Sequence, residues 1–404
     1  MTSMENRVQH QIGVGSVNLS PKSKQYLQQV IDSNRLSYGP FSRRFETTFA
    51  QAHHSKYAIF VNSGTSALQI AVAALKEADR WNDTDEIIVP ALTFVASSNV
   101  IIQNNLLPVF VDVHPQYYNI DAAKIEAAIT PKTKAIMVVH LFGQPAEMDK
   151  IMTIAQKYHL RVIEDSCETM FAAFKGKSVG SFGDISCFST YACHIICTGV
   201  GGLAVTSDAD LAVMLRSLAN HGRDAIYLSI DDDKTDDLEK LNLVMNHRFK
   251  FIRMGYSYRA TEMEAALGLA QLEEIDENIA RRRKYAAELT KNLQRWKDYL
   301  QLPAIMPGAE HSFMMFPLVV KPPINRDTLT FFLEKNNIET REMLPLTNQP
   351  YNQKLFGADL EQQFPVAKHI NENGFYIGCH PAITPEELSY VISKFAEFFS
   401  EHRN

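Results

Sequence analysis

Cysteine is scarce in this chain, and its pattern excludes two common frameworks. The 404 residues hold five, at Cys167, Cys187, Cys193, Cys197 and Cys379. An odd number at irregular spacing does not make a disulfide framework, and without a CxxC pair no structural zinc or other metal is expected. Long apolar runs are missing as well. None approaches the roughly 18 residues that span a bilayer, so no membrane association is expected. The opening stretch MTSMENRVQH lacks the apolar core of a secretion signal, and a cytoplasmic protein is expected. Positive charge is also in deficit. Lys and Arg number 40 against 46 Asp and Glu, a net charge of -6. That balance gives no electrostatic reason to expect nucleic acid as a partner. An anionic ligand has to be held by a local cluster of Arg, Lys and backbone N–H groups.

What is present is an ordinary globular composition, 46% hydrophobic and 21% charged, in a chain long enough for two domains. Through the first half, short apolar strands alternate with helices. KYAIFV, EIIVPA, PVFVDV, KAIMVVHLF, RVIEDS, DISCFST and GGLAVTS read as strands. Between them lie helices near Ser66–Ala78, from Ser97, from Asp121 and near Met148–His159. This order predicts an α/β fold with a mainly parallel sheet covered on both faces. A single long helix from Glu262 to about Asn292 is expected to join a large body, residues 1–285, to a smaller C-terminal α+β lobe, residues 286–404. The acidic stretch Ile230–Lys240 reads as a mobile surface loop rather than a metal site.

Three segments carry candidate chemistry. In VNSGTSAL a strand ends, a Gly-Thr turn follows and a helix begins. Free N–H groups and the positive helix end suit a phosphate at Ser63, Gly64 and Thr65, although a plain helix cap fits the segment equally. Asp165 ends an apolar strand, where a carboxylate faces the ligand crevice of a parallel sheet or simply caps a turn. In FSTYACHIICTGVGG, Gly199 to Ala204 formally matches the dinucleotide pattern GxGxxA. The residues after it read as a strand rather than a helix, so a Rossmann site is rejected.

Taken with YGPFSRRFE, VPALTFVASSN, FVDVHPQYYNID, HLFGQPAEMDKI and GYSYRATEMEAALGLAQLE, these segments resemble the DegT/DnrJ/StrS family of nucleotide-sugar aminotransferases. The resemblance covers nearly the whole chain. It implies the type I PLP-dependent aminotransferase fold, a homodimer and pyridoxal or pyridoxamine phosphate (PLP/PMP) as cofactor. It further implies that Gly64, Thr65 and Ser189 bind the cofactor phosphate, with Ser63 beside them. Phe94 would stack on the ring, Asp165 would pair with the pyridine nitrogen, and Glu168 would lie close to the cofactor. Ser257 and Arg259 would reach the partner subunit's site. Arg259 would hold a cosubstrate carboxylate or a phosphate, and His221 and Arg223 would line the sugar site or serve structure.

One position departs from the family pattern. Most relatives carry Lys five residues after the Ser189 position and bond the cofactor through it, whereas this chain has His194. Imidazole has no primary amine, so it cannot form that link, but it can move protons near neutral pH. A packed histidine in an inactive relative is the bland alternative. Tyr191-Ala-Cys-His194 resembles the Tyr-x-x-His pattern of the PMP-dependent sugar 3-dehydratases, in which Tyr191 would orient the base or simply pack. That branch implies a nucleotide-linked 4-keto-6-deoxyhexose, with GDP as the expected nucleotide, and glutamate as partners. Only Cys197 and Cys379 follow His194, which excludes a four-cysteine iron–sulfur cluster there. Sugar transamination and a non-catalytic ligand-binding role remain alternatives. The former needs another lysine, and Lys175 and Lys177 lie in an exposed turn.

Overall fold

A computed structural model describes residues 10–224, 238–247 and 249–401. Most of the Ile230–Lys240 stretch lies outside the described residues. Seven strands form the large sheet in the order Tyr57–Val61, Gly202–Thr206, Ile185–Ser189, Arg161–Asp165, Thr133–Val139, Glu86–Pro90 and Leu107–Val111. Six run in one direction, and Gly202–Thr206 runs against both of its neighbours. The central strands are apolar on both faces; Ile87, Ile88, Val89, Ala135, Ile136 and Met137 are all fully buried. Side chains of both faces therefore need helical cover. Helices Gly64–Ala78, Val95–Gln103 and Ala209–Ala219 supply it on one face. On the other face, Met148, Ile151 and Ala155 of Met148–Tyr158 cover the central strands, and Phe45 and Phe49 of Pro40–Ala52 with Ala265 and Leu269 of Glu262–Leu272 cover those toward the Tyr57–Val61 edge.

The expected single helix from Glu262 is in fact two. It stops at Leu272, and a second helix runs Ile275–Leu293. Their buried faces explain the break. The first buries nearly its whole Ala- and Leu-rich circumference, while the second buries a stripe at Ile279, Arg282, Tyr285, Ala286, Leu289 and Leu293. The Glu273–Glu274 junction lets each face meet a different core. The boundary we propose at residues 285/286 falls inside this second helix. Ile279 packs with the large body, whereas Tyr285 to Leu293 pack with the small sheet. That sheet is antiparallel, in the order Leu300–Gln301, Met315–Val320, Gly374–Gly378 and Thr340–Glu342. Among the described residues no helix is long and apolar enough to cross a membrane.

Because six strands of the large sheet are co-directional, their C-terminal ends share one edge. Asp165, Ser189 and the exit from Val61 toward Ser63 all lie there, which is where such sheets hold ligands.

Candidate active site

The first wall is a backbone cradle. Ser63 caps the helix Gly64–Ala78, its Oγ accepting from the Ser66 amide at 3.0 Å. The Gly64 and Thr65 amides have no carbonyl one turn earlier to bond, and the helix end carries partial positive charge. A Cβ on Gly64 would lie 2.7 Å from Ser189 Cβ and 2.7 Å from Cys167 Sγ. A Cβ on Gly202 would lie 2.4 Å from the Ser63 carbonyl carbon. The strand pairing of Ser189 with Gly202, and the bridge between Ser63 and Gly201, bring these segments together. Thr65 is exposed in the first turn.

The second wall carries charge. Asp165 is 5% exposed. Its Oδ2 accepts from Ser97 Oγ at 2.7 Å and its Oδ1 from the Cys167 amide at 3.2 Å. Burial pushes this carboxyl above its ordinary value, against the pull of those donors. Neutral donors alone leave an ionised form short of a positive partner. Ser97 lies one turn after Phe94, whose ring is 57% exposed although large and apolar. Behind Asp165, Glu164 is fully buried and accepts from the amides of Gly180, Phe182 and Gly183 and from His140 Nε2. His140 Nδ1 accepts from the Ala146 amide, so Nε2 carries the hydrogen. Glu168 accepts from the Phe142 amide, and burial, reinforced by Asp165, raises its carboxyl to about 7.

His194 closes this end. Its Nδ1 lies 2.5 Å from the Cys167 carbonyl. A carbonyl can only accept, so Nδ1 bears the hydrogen and Nε2 keeps its lone pair. Burial drives the imidazole down to about 4, against the favourable Cys167 contact, so it is neutral near pH 7. The Tyr191 ring stands edge-on to it, centroids 6.4 Å apart.

A second cluster forms beside the cradle. Arg259 Nη2 donates to His221 Nε2 at 3.2 Å and to Ser257 Oγ at 3.2 Å. The Asn62 amide bonds the Tyr258 carbonyl, which joins the cluster to the strand leading to Ser63. Arg223 is elsewhere in character. It is buried, with its guanidinium 5.9 Å and 5.7 Å from the ring centroids of Phe249 and Phe251. That setting favours structure over the sugar contact expected for it.

A family model for DegT/DnrJ/EryC1/StrS aminotransferases matches residues 18–396. The chain belongs to this aminotransferase family. Among its relatives, the lipopolysaccharide biosynthesis protein RfbH of Salmonella typhimurium is 35% identical, over 90% of this chain and 86% of that protein. GDP-perosamine synthase of Caulobacter vibrioides is 34% identical, over 95% of this chain and 96% of that one. Among solved structures, the E. coli GDP-4-keto-6-deoxy-D-mannose-3-dehydratase with bound hydrated PLP superposes with a TM-score of 0.85 at 29% identity, covering 95% of this chain and 100% of that chain. The fold is therefore that of the type I PLP-dependent aminotransferases, and the cofactor is PLP or its amine form.

Two features of this aminotransferase-family site fit the cofactor. The Gly64–Ser189 cradle leaves no room for side chains where backbone amides would meet a phosphate. Among the described residues no Lys or Arg pairs with the buried Asp165, a place that a protonated ring nitrogen would fill. Several neighbours escaped the sequence reading. They are Ser97, Cys167, the helix residues Gln271, Asn278 and Arg282, and, from the small lobe, Tyr376 and the Glu339–Arg341 ion pair. Only Ser97 left a local signal, its helical spacing from Phe94.

Proposed function

We propose that this enzyme of the PLP-dependent sugar-modifying family is a nucleotide-sugar 3-dehydratase. It removes the C3 hydroxyl of a nucleotide-linked 4-keto-6-deoxyhexose, GDP-linked by preference, with glutamate as amino donor. In net terms the sugar exchanges C3–OH for C3–H. Glutamate becomes 2-oxoglutarate and its nitrogen leaves as ammonia. The observation that carries this reading is His194: a neutral imidazole with its tautomer fixed, where most relatives carry lysine.

When bound, the amine form of the cofactor supplies a primary amine for the ketone and a conjugated ring that accepts electrons. Ser63, Gly64, Thr65 and Ser189 bind its phosphate. Phe94 covers the ring, and Asp165 keeps a proton on the pyridine nitrogen. His194 Nε2 takes up and returns a proton beside the amine-bearing carbon. Tyr191 orients that imidazole, and Glu168 borders the cofactor. His221, Ser257 and Arg259 form the anion site for the sugar's diphosphate or the glutamate carboxylate, shared across a homodimer. Arg223 steadies the segment behind them.

Transamination is the second reading, favoured by the GDP-perosamine synthase relative. It needs a protein amine in place of the lysine. Lys175 is exposed and bonds Asp149 at 2.5 Å, and Lys177 lies 4.6 Å from the Phe182 ring centroid. Both sit on a surface hairpin already engaged elsewhere. The test is incubation with PLP, glutamate and GDP-, CDP- and dTDP-linked 4-keto-6-deoxyhexoses, read by mass spectrometry. Loss of the C3 oxygen with ammonia release supports dehydration. A stable amino sugar overturns it, and a cofactor spectrum indifferent to glutamate points to a non-catalytic binder.

A further inference from the structure

The turn that carries His194 has no regular structure of its own, yet side chains from the two helices after Thr261 hold it. Gln271 grips Cys197 in both directions, accepting from its amide at 2.9 Å and donating to its carbonyl at 2.5 Å. Asn278 Nδ2 donates at 3.2 Å to the carbonyl of Ile195, the residue after His194. The other end of that carboxamide, Oδ1, accepts from Arg282 Nε at 2.8 Å. Arg282 is 3% exposed. Its Nη1 also donates to the carbonyls of Met314 at 2.9 Å, Cys379 at 3.0 Å and Phe313 at 3.4 Å.

No carboxylate pairs with this guanidinium among the described residues. Buried charges are ordinarily paired with an opposite charge. Here carbonyl dipoles alone hold the cation, and burial lowers its pKa to about 10. The charge is felt at His194 and at His380, whose protonation it opposes in both cases.

We propose that Arg282 is a positioning residue for His194: its Nε sets the Asn278 carboxamide, and that carboxamide tethers the turn at the Ile195 carbonyl. The proposal rests on the reading of His194 as the proton acceptor. Other charged or titratable groups surround the turn. Asp165 ends the strand Arg161–Asp165, Cys167 and Glu168 follow it, and Tyr191 and Cys193 lie on the turn itself. Tyr376 and His380 come from the strand Gly374–Gly378 and the segment after it, and Glu339 and Arg341 lie at the neighbouring strand. Arg282 differs from the rest in being a buried cation hydrogen-bonded, through one side chain, to the turn's backbone.

Asn278→Asp tests this without a change of size. The introduced carboxylate still accepts from Arg282, neutralises it, and cannot donate to Ile195. The readout is the His194 titration by histidine side-chain NMR on the full chain, with and without cofactor, assigned by comparison with His194→Asn. The titration is expected to rise by about one pH unit, and the acid limb of the kcat–pH profile with it. Arg282→Lys keeps the charge and loses the fork. Its titration is expected to stay in place while turnover drops about tenfold. An unmoved His194 titration in folded Asn278→Asp overturns the proposal for Arg282. Full turnover by His194→Asn instead sinks the assignment of His194 itself.

Discussion

The two walls of the site are built on different principles. The phosphate cradle is backbone meeting backbone: Ser63, Gly64 and Gly202 approach so closely that a single methyl group would collide. The His194 turn is held by long polar side chains, Gln271, Asn278 and Arg282, reaching from helices far along the chain. Close backbone contact fixes a position with little tolerance for change. Side-chain tethers leave room to retune the group they hold. His194, which stands where the resemblance implies lysine in most relatives, sits in the tunable wall.

That contrast can be broken by mutation. The largest effect is expected in the turn. His194→Asn should keep cofactor binding, seen by absorbance, and lose about 10²- to 10⁴-fold in turnover; a loss of cofactor instead would mean that the turn is part of the cradle. In the cradle, Gly64→Ala should cost about 1–3 kcal/mol by denaturant unfolding and weaken PLP binding. Wild-type stability in that variant would show that the cradle can open around a Cβ that meets Ser189 and Cys167 at 2.7 Å. Acid should act on the packed imidazoles next. Burial holds His53, His194 and His380 down to about 4 and His311 to about 3, against 6.5 ordinarily. The unfolded chain therefore binds protons that the folded one refuses, and stability is lost as pH falls from 6.5 toward 4. The melting temperature should already drop above about pH 5, before ordinary carboxylates titrate; a flat profile down to that point would contradict the burial of these rings. The smallest change is expected from Gln271→Ala, about 1 kcal/mol of stability with cofactor affinity kept. Weakened affinity there would erase the distinction between the walls.

Much of the cradle was legible in the sequence because its parts are local. Strand, Gly-Thr turn and helix follow one another at Ser63–Thr65, and Asp165 and Ser189 each end an apolar strand. Strand order was not legible, since the antiparallel insertion of Gly202–Thr206 depends on pairing across the chain. The break after Leu272 lacked Gly or Pro to announce it, and tertiary packing decided it. Arg282 could not be recognised as a site neighbour for a similar reason. On its own helix it reads as one cation among many, and only the closure of the small lobe buries it. Arg223 shows the converse. The resemblance left it between a sugar contact and a structural role, and its guanidinium lies over the Phe249 and Phe251 rings.

The antiparallel strand has a consequence for biosynthesis. Gly202 must slot between the segments of Ser63 and Ser189 before the phosphate pocket exists at all. A chain emerging from the ribosome can lay down the parallel strands in order, but it has nowhere to hold vitamin B6 until that late strand has cleared the exit tunnel. The pocket is thereby the product of pairing between segments about 140 residues apart, and it takes shape only when residues 202–206 join the sheet.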